Sequence, residues 1–337
     1  MLGEIVDVKA AIEELPLAAV DEADLRGRDD DVFEAGFPYG AHGSPACRCE
    51  KAIGFYHSSL GPSRQGARPI DFYDRHPIDE THVRAAATRR RPAGRLAAAD
   101  LFEFDQDHYG GIEAVDVLAR HAGVRRRSRV LDVCAGLGGP ARFLAAGRGC
   151  RVVGVELHGG RAAAAARLTR DVGLAAQVVV VRGDALALPF RAHAFDVCLS
   201  QEGLLHIADK PAALAECRRV LMPGGRLAFT DWIAYARLAD GEHEQLRRWM
   251  AATTLQSLDS YRALLGRAGF GSVDAHDITH EWRPVLRARL ERHRAGRADI
   301  VARFGAQWAD EYDRLFGFFV GLVEAGKLGG GRFSGTA

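Results

Sequence analysis

Glu202 and His206 stand four positions apart in the stretch SQEGLLHI, directly after the apolar run AFDVCLS. If the residues after Ser200 form a helix, this spacing places both side chains on one face. An imidazole with an ordinary pKa of about 6.5 can accept a proton near neutral pH, and a carboxylate can orient the ring or attract a cationic substrate. We therefore predict that His206 and Glu202 are catalytic residues at the end of a strand.

The stretch LDVCAGLGGPARF is a second chemical feature, because Gly136, Gly138 and Gly139 fall between a predicted strand and a predicted helix. Glycines there let backbone N–H groups approach a nucleotide-like ligand. A dinucleotide fingerprint would require glycine at the position of Ala141, and the alanine variant keeps a nicotinamide cofactor as a weaker alternative. Asp132 in the preceding strand would repel a pyrophosphate but could hold an ammonium group.

Two further carboxylates follow the next strands. Glu156 ends RVVGVE, twenty residues after Gly136, and a carboxylate at a strand tip can accept both hydrogen bonds of a ribose diol. Asp184 follows AQVVVVRG, where it could accept from an adenine amino group while ALALPF packs along the ring. Together with the glycine loop and Asp132, these positions predict a site for S-adenosylmethionine.

Strands and helices alternate along most of the chain. Nearly continuous apolar runs, typical of strands covered on both faces, occur at SRVLDVC, RVVGVEL, AQVVVVRG, FDVCLS and GRLAFTDWI, with later candidates at GSVDAHDI and GRFSGT. The helical segments between them predict an α/β fold with a doubly wound, mostly parallel seven-stranded sheet. Helices at about 241–269 and 284–326 follow the fifth strand and are expected to form a helical cap.

The first part of the chain differs from the rest. Residues 1–70 mix Gly, Pro, Ser and His without a sustained period, which predicts a poorly ordered extension, whereas residues 71–337 predict one domain. Cys47 and Cys49 form a lone CxC motif in the extension. A structural zinc site usually has two paired clusters, so no metal site is expected.

The overall composition is that of a globular protein. Of its 337 residues, 47% are hydrophobic, and the formal net charge of +1 provides no field that would attract nucleic acid or an anionic membrane. No apolar run approaches the roughly eighteen residues of a membrane span, and the acidic start lacks the basic head of a secretory leader. We expect a cytoplasmic protein without nucleic-acid or membrane partners, and the oligomeric state stays open.

The motifs VLDVCAGLGGPARFL, VVGVEL, GDALALPF, FDVCLSQEGLLHI and RRVLMPGGRLAFTDW resemble, in this order, those of class I S-adenosylmethionine-dependent methyltransferases. The stretches HYGGIEAV and SQEGLLHIADK are similar to those of sarcosine/dimethylglycine and phosphoethanolamine N-methyltransferases. This resemblance covers residues from about 101 to the C-terminus. It implies that Tyr109 lies near the methionine end of the donor and that Leu157, Ala185 and Gln201 also contact the donor.

The same resemblance concerns the acceptor. It implies that Trp232 lines the acceptor pocket, where an aromatic face can receive a methylated ammonium group by a cation–π contact. In the phosphoethanolamine enzymes, the histidine at the position of His206 forms a catalytic pair with a tyrosine of the N-terminal helix. The matched position here is not a tyrosine, and Tyr109 or Tyr73 could take its place.

The phosphoethanolamine enzymes also carry an arginine and a tyrosine that clamp the phosphate of the acceptor. The corresponding stretch AATTLQSLDSY has no arginine before Tyr261, which disfavours a phosphate-bearing acceptor. LQSLDSYRALL is closer to the sarcosine/dimethylglycine type, whose acceptor ends in a carboxylate. Arg247, Arg248 or Arg283 could bind that carboxylate.

These observations predict an enzyme that moves a methyl group from S-adenosylmethionine to the nitrogen of a small amine or amino acid. One alternative is a C- or O-methyltransferase of a small secondary metabolite. A second is a non-catalytic module that binds S-adenosylmethionine, and a third is a nicotinamide enzyme. The identity of the acceptor and the number of methyl transfers stay open.

Overall fold

The structure is a computed structural model. It describes Tyr73, His76 and residues 78–337, apart from residues 92–93 and 236–237. The predicted extension of residues 1–70, with Cys47 and Cys49, lies outside the described residues.

A seven-stranded sheet forms the centre of the described part and confirms the predicted fold class. The strands are β1 Arg129–Val133, β2 Arg151–Glu156, β3 Val178–Arg182, β4 Phe195–Gln201, β5 Leu221–Ala234, β6 Gly271–Asp277 and β7 Leu328–Thr336. Their order across the sheet is β3-β2-β1-β4-β5-β7-β6. The first five strands pair in parallel, and β7 lies antiparallel between β5 and β6. The strand order reverses between β1 and β4, where open α/β sheets bind their ligands.

Ten α-helices surround this sheet within the described residues. They are α1 Glu80–Arg90, α2 Gly111–His121, α3 Gly139–Arg148, α4 Gly159–Asp171, α5 Lys210–Val220, α6 Asp240–Met250, α7 Leu258–Arg267, α8 Thr279–Ala295, α9 Arg297–Phe304 and α10 Ala306–Glu324. Helices α2, α3 and α4 share one apolar core with one face of the sheet, and α5 and α7 share another with the opposite face. Strands β1 to β4 are mostly apolar on both faces because both faces are covered.

The cap is made of α6, α8 and α10. Their apolar faces form a third core with Leu205, which follows β4, and Trp232, near the end of β5, so the cap lies over the carboxyl ends of these strands. The predicted cap segment 241–269 divides in two. Its second helix, α7, covers the sheet instead, because Tyr261, Leu264 and Leu265 pack into the same core as β5.

The cap is seated closely on the last strand at Gly330 of β7. A Cβ atom on Gly330 would lie 2.4 Å from the indole of Trp282 in α8, so a side chain there would clash with that ring. The backbone N–H of Gly330 also donates to Thr279 Oγ1 at 3.0 Å. The absence of a side chain therefore allows α8 to approach the strand backbone.

A buried ion pair joins the segment before α2 to the first helix after β1. Arg142 of α3 donates to Asp105 through Nη2 at 2.9 Å, and the side chains of both residues are fully buried. Arg142 also donates to Thr169 Oγ1 at 3.2 Å. Gly139 fits beneath this segment, since a Cβ atom there would lie 2.2 Å from the carbonyl oxygen of Asp105. The pair thus fixes the segment that leads to Tyr109.

Among the helices of the described residues, none combines the length and the apolar character needed to cross a membrane.

We expect Arg142→Met to lower the free energy of unfolding by about 3–5 kcal/mol, because it leaves Asp105 buried without its cationic partner. Urea unfolding would measure this loss. In the double variant Arg142→Met/Asp105→Asn the uncompensated charge is gone, so part of the stability should return. Equal losses in the single and double variants would contradict the assigned role of the ion pair.

Candidate active site

A cavity of about 200 Å³ lies between the carboxyl ends of the strands and the cap. It is far larger than the roughly 10–15 Å³ that one buried water needs. Most of the residues predicted from the sequence line it: Tyr109, Asp132, Gly136, Glu156, Leu157, Asp184, Ala185, Gln201, Glu202, His206 and Trp232. Gly138 instead precedes α3 as its N-cap residue with a positive φ of 75°, and its α-carbon faces Ala165 and Arg142.

The glycine loop and the end of β2 are joined by a hydrogen bond. Gly136, with a positive φ of 56°, donates its N–H to the carboxylate of Glu156 at 2.8 Å. The other carboxylate oxygen of Glu156 accepts the N–H of His158 at 2.8 Å. A carboxylate has about four acceptor positions, so Glu156 keeps acceptor capacity for a ligand hydroxyl pair while its orientation is fixed.

Asp132 presents an unsatisfied acid to the cavity. It is buried, and its Oδ2 atom has no hydrogen-bond partner. Burial, with a smaller contribution from the nearby Glu156 charge, raises the pKa of Asp132 to about 7. A buried carboxylate of this kind gains most from a cationic hydrogen-bond donor such as an ammonium group.

The residues that follow β2 and β3 include exposed parts of the cavity lining. Asp184 is exposed and accepts the N–H of Leu186 at 2.9 Å, while Ala185 is buried. Leu157 is 46% exposed although it is a large apolar side chain. The exposed side chains of Leu157 and Asp184 suit a flat polar ring, which can pack on the leucine and donate to the carboxylate.

The turn after β4 differs from the predicted helix. The residues Leu204–His206 form a single 3-10 turn, and Glu202 precedes it with a positive φ of 48°. The prediction that Glu202 and His206 share a helix face is therefore wrong. The carboxylate of Glu202 accepts the N–H of Tyr109 at 2.8 Å and the hydroxyl of Thr230 at 2.6 Å. Because its two oxygens accept these hydrogen bonds, the carboxylate of Glu202 does not orient the imidazole of His206.

The pKa of Glu202 is raised by its surroundings. Burial raises its pKa to about 8, although the hydrogen bonds from Thr230 and Tyr109 oppose the shift. Among the described residues, no arginine, lysine or histidine forms an ion pair with Glu202, Asp132 or Glu156. The cavity therefore carries an excess of carboxylates and favours a cationic ligand.

His206 contacts Tyr73, one of the two tyrosines that the sequence left open. Tyr73 Oη lies 3.0 Å from Nε2 of His206, and Nδ1 lies 3.3 Å from the carbonyl oxygen of Ala251. A carbonyl can only accept, so the tautomer that satisfies both contacts carries its proton on Nδ1. Burial lowers the pKa of His206 to about 4, so the ring is neutral near pH 7 and its Nε2 accepts from Tyr73.

Arg161 and His76, which the sequence analysis did not single out, both pack against the ring of Tyr73. The guanidinium of Arg161 lies 4.6 Å from the centre of the Tyr73 ring, and its Nη2 donates to Asp107 at 2.8 Å. His76 Nε2 lies 3.5 Å from the same carboxylate. The sequence offered one signal, since Arg161 is a single cation in the first turn of the alanine-rich segment GGRAAAAARL.

Aromatic side chains form the cap side of the cavity. Tyr109 packs edge-on against Trp232, with their ring centres 5.6 Å apart, so it lies on the cap side of the cavity. Tyr312, Phe316 and Phe319 of α10 line the same region. Such a wall suits apolar groups and cations, because a cation is attracted to an aromatic face.

The arginine that reaches this wall is not one of those predicted. Arg289 of α8 lies 4.7 Å from the centre of the Tyr109 ring and donates to the carbonyl oxygen of His108 at 2.9 Å. Arg247 pairs with Glu244, Arg283 lies 3.9 Å from Glu324, and Arg248 is exposed; none of the three lines the cavity. The prediction for them is wrong because their helices turn these positions outward.

Gln201 belongs to a chain of neutral polar groups. Its Nε2 donates to His108 Nδ1 at 3.0 Å, and His108 Nε2 lies 2.9 Å from Gln106 Oε1. Burial lowers the pKa of His108 to about 4, which keeps this ring neutral. The chain links the end of β4 to the segment that Asp105 anchors.

Comparisons with known proteins agree with this geometry. The family described as "Methyltransferase domain" matches residues 131–229. The chain is 31% identical over 223 residues to Methyltransferase GfsG of Streptomyces halstedii, covering 64% of this chain and 77% of that protein. It is 32% identical over 190 residues to the glycine/sarcosine/dimethylglycine N-methyltransferase of Actinopolyspora halophila, covering 56% of this chain and only 34% of that protein.

Two further comparisons concern a methyltransferase named for an oxygen acceptor and a solved structure. The chain is 29% identical over 217 residues to the 27-O-demethylrifamycin SV methyltransferase of Amycolatopsis mediterranei (strain S699), covering 64% of this chain and 79% of that protein. The solved structure of Haemonchus contortus phosphoethanolamine N-methyltransferase 2 in complex with S-adenosyl-L-methionine has the same fold, with a TM-score of 0.63. It shares 20% identity and covers 80% of this chain and 60% of that one.

The raised pKa of Glu202 predicts a pH-dependent affinity for simple cations. Glu202 is protonated below its pKa of about 8 and ionised above it, so tetramethylammonium should bind more tightly as the pH rises from 6 to 9, by roughly tenfold. Isothermal titration calorimetry would measure the change.

Glu202→Gln should bind tetramethylammonium weakly and with little dependence on pH. Asp132→Asn is the matched control, because it removes the other cavity acid whose pKa lies in this range and should retain the dependence. A wild-type affinity that stays constant from pH 6 to 9 would show that Glu202 does not bind the cation.

Proposed function

The chain belongs to the S-adenosylmethionine-dependent methyltransferases, and we propose that it methylates the nitrogen of a small amine or amino acid. S-adenosylmethionine is the methyl donor, and its sulfonium already activates the methyl group. The protein mainly has to hold donor and acceptor in line, a contribution that can reach an effective molarity of about 10⁵ M or more. The proposed catalytic unit is the domain of residues 71–337.

The donor would be held by the strand ends and the glycine loop. Asp132 would accept from the donor ammonium group, Glu156 from the ribose diol and Asp184 from the adenine amino group. Gly136 would let the donor approach the backbone closely, because it has no side chain, and its N–H fixes the orientation of Glu156. The unpartnered Oδ2 of Asp132 supports this fit, because a cationic donor there would satisfy it. Leu157, Ala185 and Gln201 would complete the contacts.

Glu202 is the observation that carries the choice of nitrogen as the acceptor atom. Its carboxylate lines the cavity without an ion-pair partner among the described residues, next to the aromatic wall of Tyr109 and Trp232. A methylated ammonium product brings the positive charge that this anion and these rings favour, whereas an alcohol or a carbon acceptor brings none. A cationic acceptor would also keep Glu202 ionised despite its raised pKa.

Tyr73 and His206 would remove the proton from the amine. An amine attacks only through a free lone pair, so an ammonium acceptor must first lose a proton. Nε2 of the neutral His206 accepts from Tyr73 Oη, so the phenol oxygen can take a proton from the acceptor as its own passes to His206. The protonated imidazole would return this proton to solvent after transfer.

The acceptor class is tested by incubating the purified full chain with S-adenosylmethionine and a panel of glycine, sarcosine, dimethylglycine, ethanolamine phosphate, histidine derivatives and a cell extract. We expect S-adenosylhomocysteine to form with a small amine and the new methyl group to lie on nitrogen, located by NMR. Glu202→Gln should lower kcat/KM for that amine by roughly 10²-fold. Methyl groups found only on oxygen or carbon would overturn the proposal.

A second candidate is O- or C-methylation of a larger apolar metabolite. The specific observation in its favour is the cap side of the cavity, where Met250, Leu315, Phe316 and Phe319 offer an extended apolar surface. The similarity to 27-O-demethylrifamycin SV methyltransferase points the same way. The two functions differ in their use of Glu202, because methylation of a neutral hydroxyl should tolerate Glu202→Gln and still depend on His206.

The proposed relay predicts that Tyr73→Phe and His206→Gln each slow turnover by roughly 10²- to 10⁴-fold, because each interrupts the proton path. Affinity for S-adenosylhomocysteine, measured by calorimetry, should change little. Tyr73→Phe keeps the ring beside Arg161, so its packing is retained. Tyr235→Phe, at an exposed tyrosine outside the cavity, is the matched control and should be fully active. If both variants lose donor affinity as much as turnover, these residues have only a structural role.

A further inference from the structure

Two unpartnered polar atoms distinguish the donor side of the cavity. Within the part of the chain that the structure describes, the residues that line the cavity include only two with a buried side-chain nitrogen or oxygen atom that lacks a hydrogen bond. These atoms are Oδ2 of Asp132 and Nε of Arg161. One belongs to an acid and the other to a base. A buried polar atom without a partner is costly, and because both residues line the cavity, a ligand bound there can supply the missing partners.

Arg161 is held firmly beside the glycine loop. It lies in the first turn of α4, and only 6% of it is exposed. Its Nη2 donates to Asp107 at 2.8 Å and its Nη1 to the carbonyl oxygen of Ile78 at 3.3 Å. A Cβ atom on Gly136 would lie 3.1 Å from Nη2, so the guanidinium lies against the α-carbon of that glycine. Arginine carries five N–H donors, so this guanidinium retains donors besides the two used here.

We propose that Arg161 binds the α-carboxylate of the methionine moiety of S-adenosylmethionine, while Asp132 accepts from its ammonium group. The amino-acid end of the donor is a zwitterion, and it needs a cation and an anion at the same end of the cavity. The unpartnered Nε–H and the spare donors of a guanidinium match a carboxylate, and such charge-assisted hydrogen bonds are strong when desolvated. This inference concerns the donor and does not depend on the identity of the acceptor.

Arg161 has a competing explanation as a residue that only supports Tyr73. Its guanidinium lies 4.6 Å from the centre of that ring, so a substitution could act through the tyrosine alone. The two roles differ in the ligand that they affect. A carboxylate anchor discriminates between donors with and without a carboxylate, whereas a support for Tyr73 acts on both to the same extent.

The test uses decarboxylated S-adenosylmethionine, which lacks only the carboxylate. Isothermal titration calorimetry on the purified full chain should give an affinity for S-adenosylmethionine roughly tenfold to hundredfold higher than for the decarboxylated compound. The acids that line the cavity favour the more cationic decarboxylated ligand, so a preference for the intact donor indicates that the protein binds its carboxylate; Arg161→Met then tests whether Arg161 is the group that binds it. Equal affinities in the wild-type protein would overturn the proposal without any variant.

Arg161→Met should weaken binding of S-adenosylmethionine by the same factor and leave binding of the decarboxylated compound within about twofold of wild type. Arg167→Met is the matched control, because Arg167 lies on the same helix, α4, but pairs with Glu80 and does not line the cavity; it should keep the wild-type ratio of the two affinities. Circular dichroism would establish that each variant is folded. A loss that is equal for both ligands in Arg161→Met, or no loss for either, would overturn the proposal.

Discussion

Buried acidic side chains without ion-pair partners, beneath an apolar cap, are the constraint on which the rest of the site depends. Asp132, Glu156 and Glu202 lie at the ends of three strands, and none of them forms an ion pair within the described residues. Burial of such charges costs free energy unless a cation or hydrogen-bond donors compensate it. Backbone N–H groups compensate part of the cost at Glu156 and Glu202. The part of the cost that is not compensated favours ligands that bring positive charge, and a sulfonium donor is such a ligand.

The sheet was predictable because its signals are local. Strands covered on both faces read as continuous apolar runs, and the five such runs in the sequence became β1 to β5, while the two later candidates became β6 and β7. The carboxylates at the strand ends were equally predictable. Parallel strands end at one edge of the sheet, so the positions of Asp132 and Glu156 in the chain were enough to place them there. The position of α7 was not predictable in this way, because an amphipathic helix carries no sign of which apolar surface it will cover.

The turn after β4 and its partners show where sequence reasoning stops. Spacing suggested a helix, but Glu202 adopts a left-handed backbone conformation and its carboxylate is held by Tyr109 and Thr230, which lie far away in the chain. The contact between Tyr73 and His206 spans 133 positions, and no local pattern encodes it. Arg289 lines the cavity in place of the predicted arginines for the same reason, because packing of Trp282 against Trp232 decides which face of α8 points inward.

Gly330 has a consequence for how acceptor preference can change during evolution. Helix α8 packs directly against the backbone of β7 at this glycine, and the same helix places Arg289 beside the ring of Tyr109. The shape of the cap side of the cavity therefore depends on β7, although the residues that match the methyltransferase family model lie at 131–229. A cap exchanged for that of a relative would need a strand that leaves the same space beneath α8, so α8 and β7 have to be exchanged together.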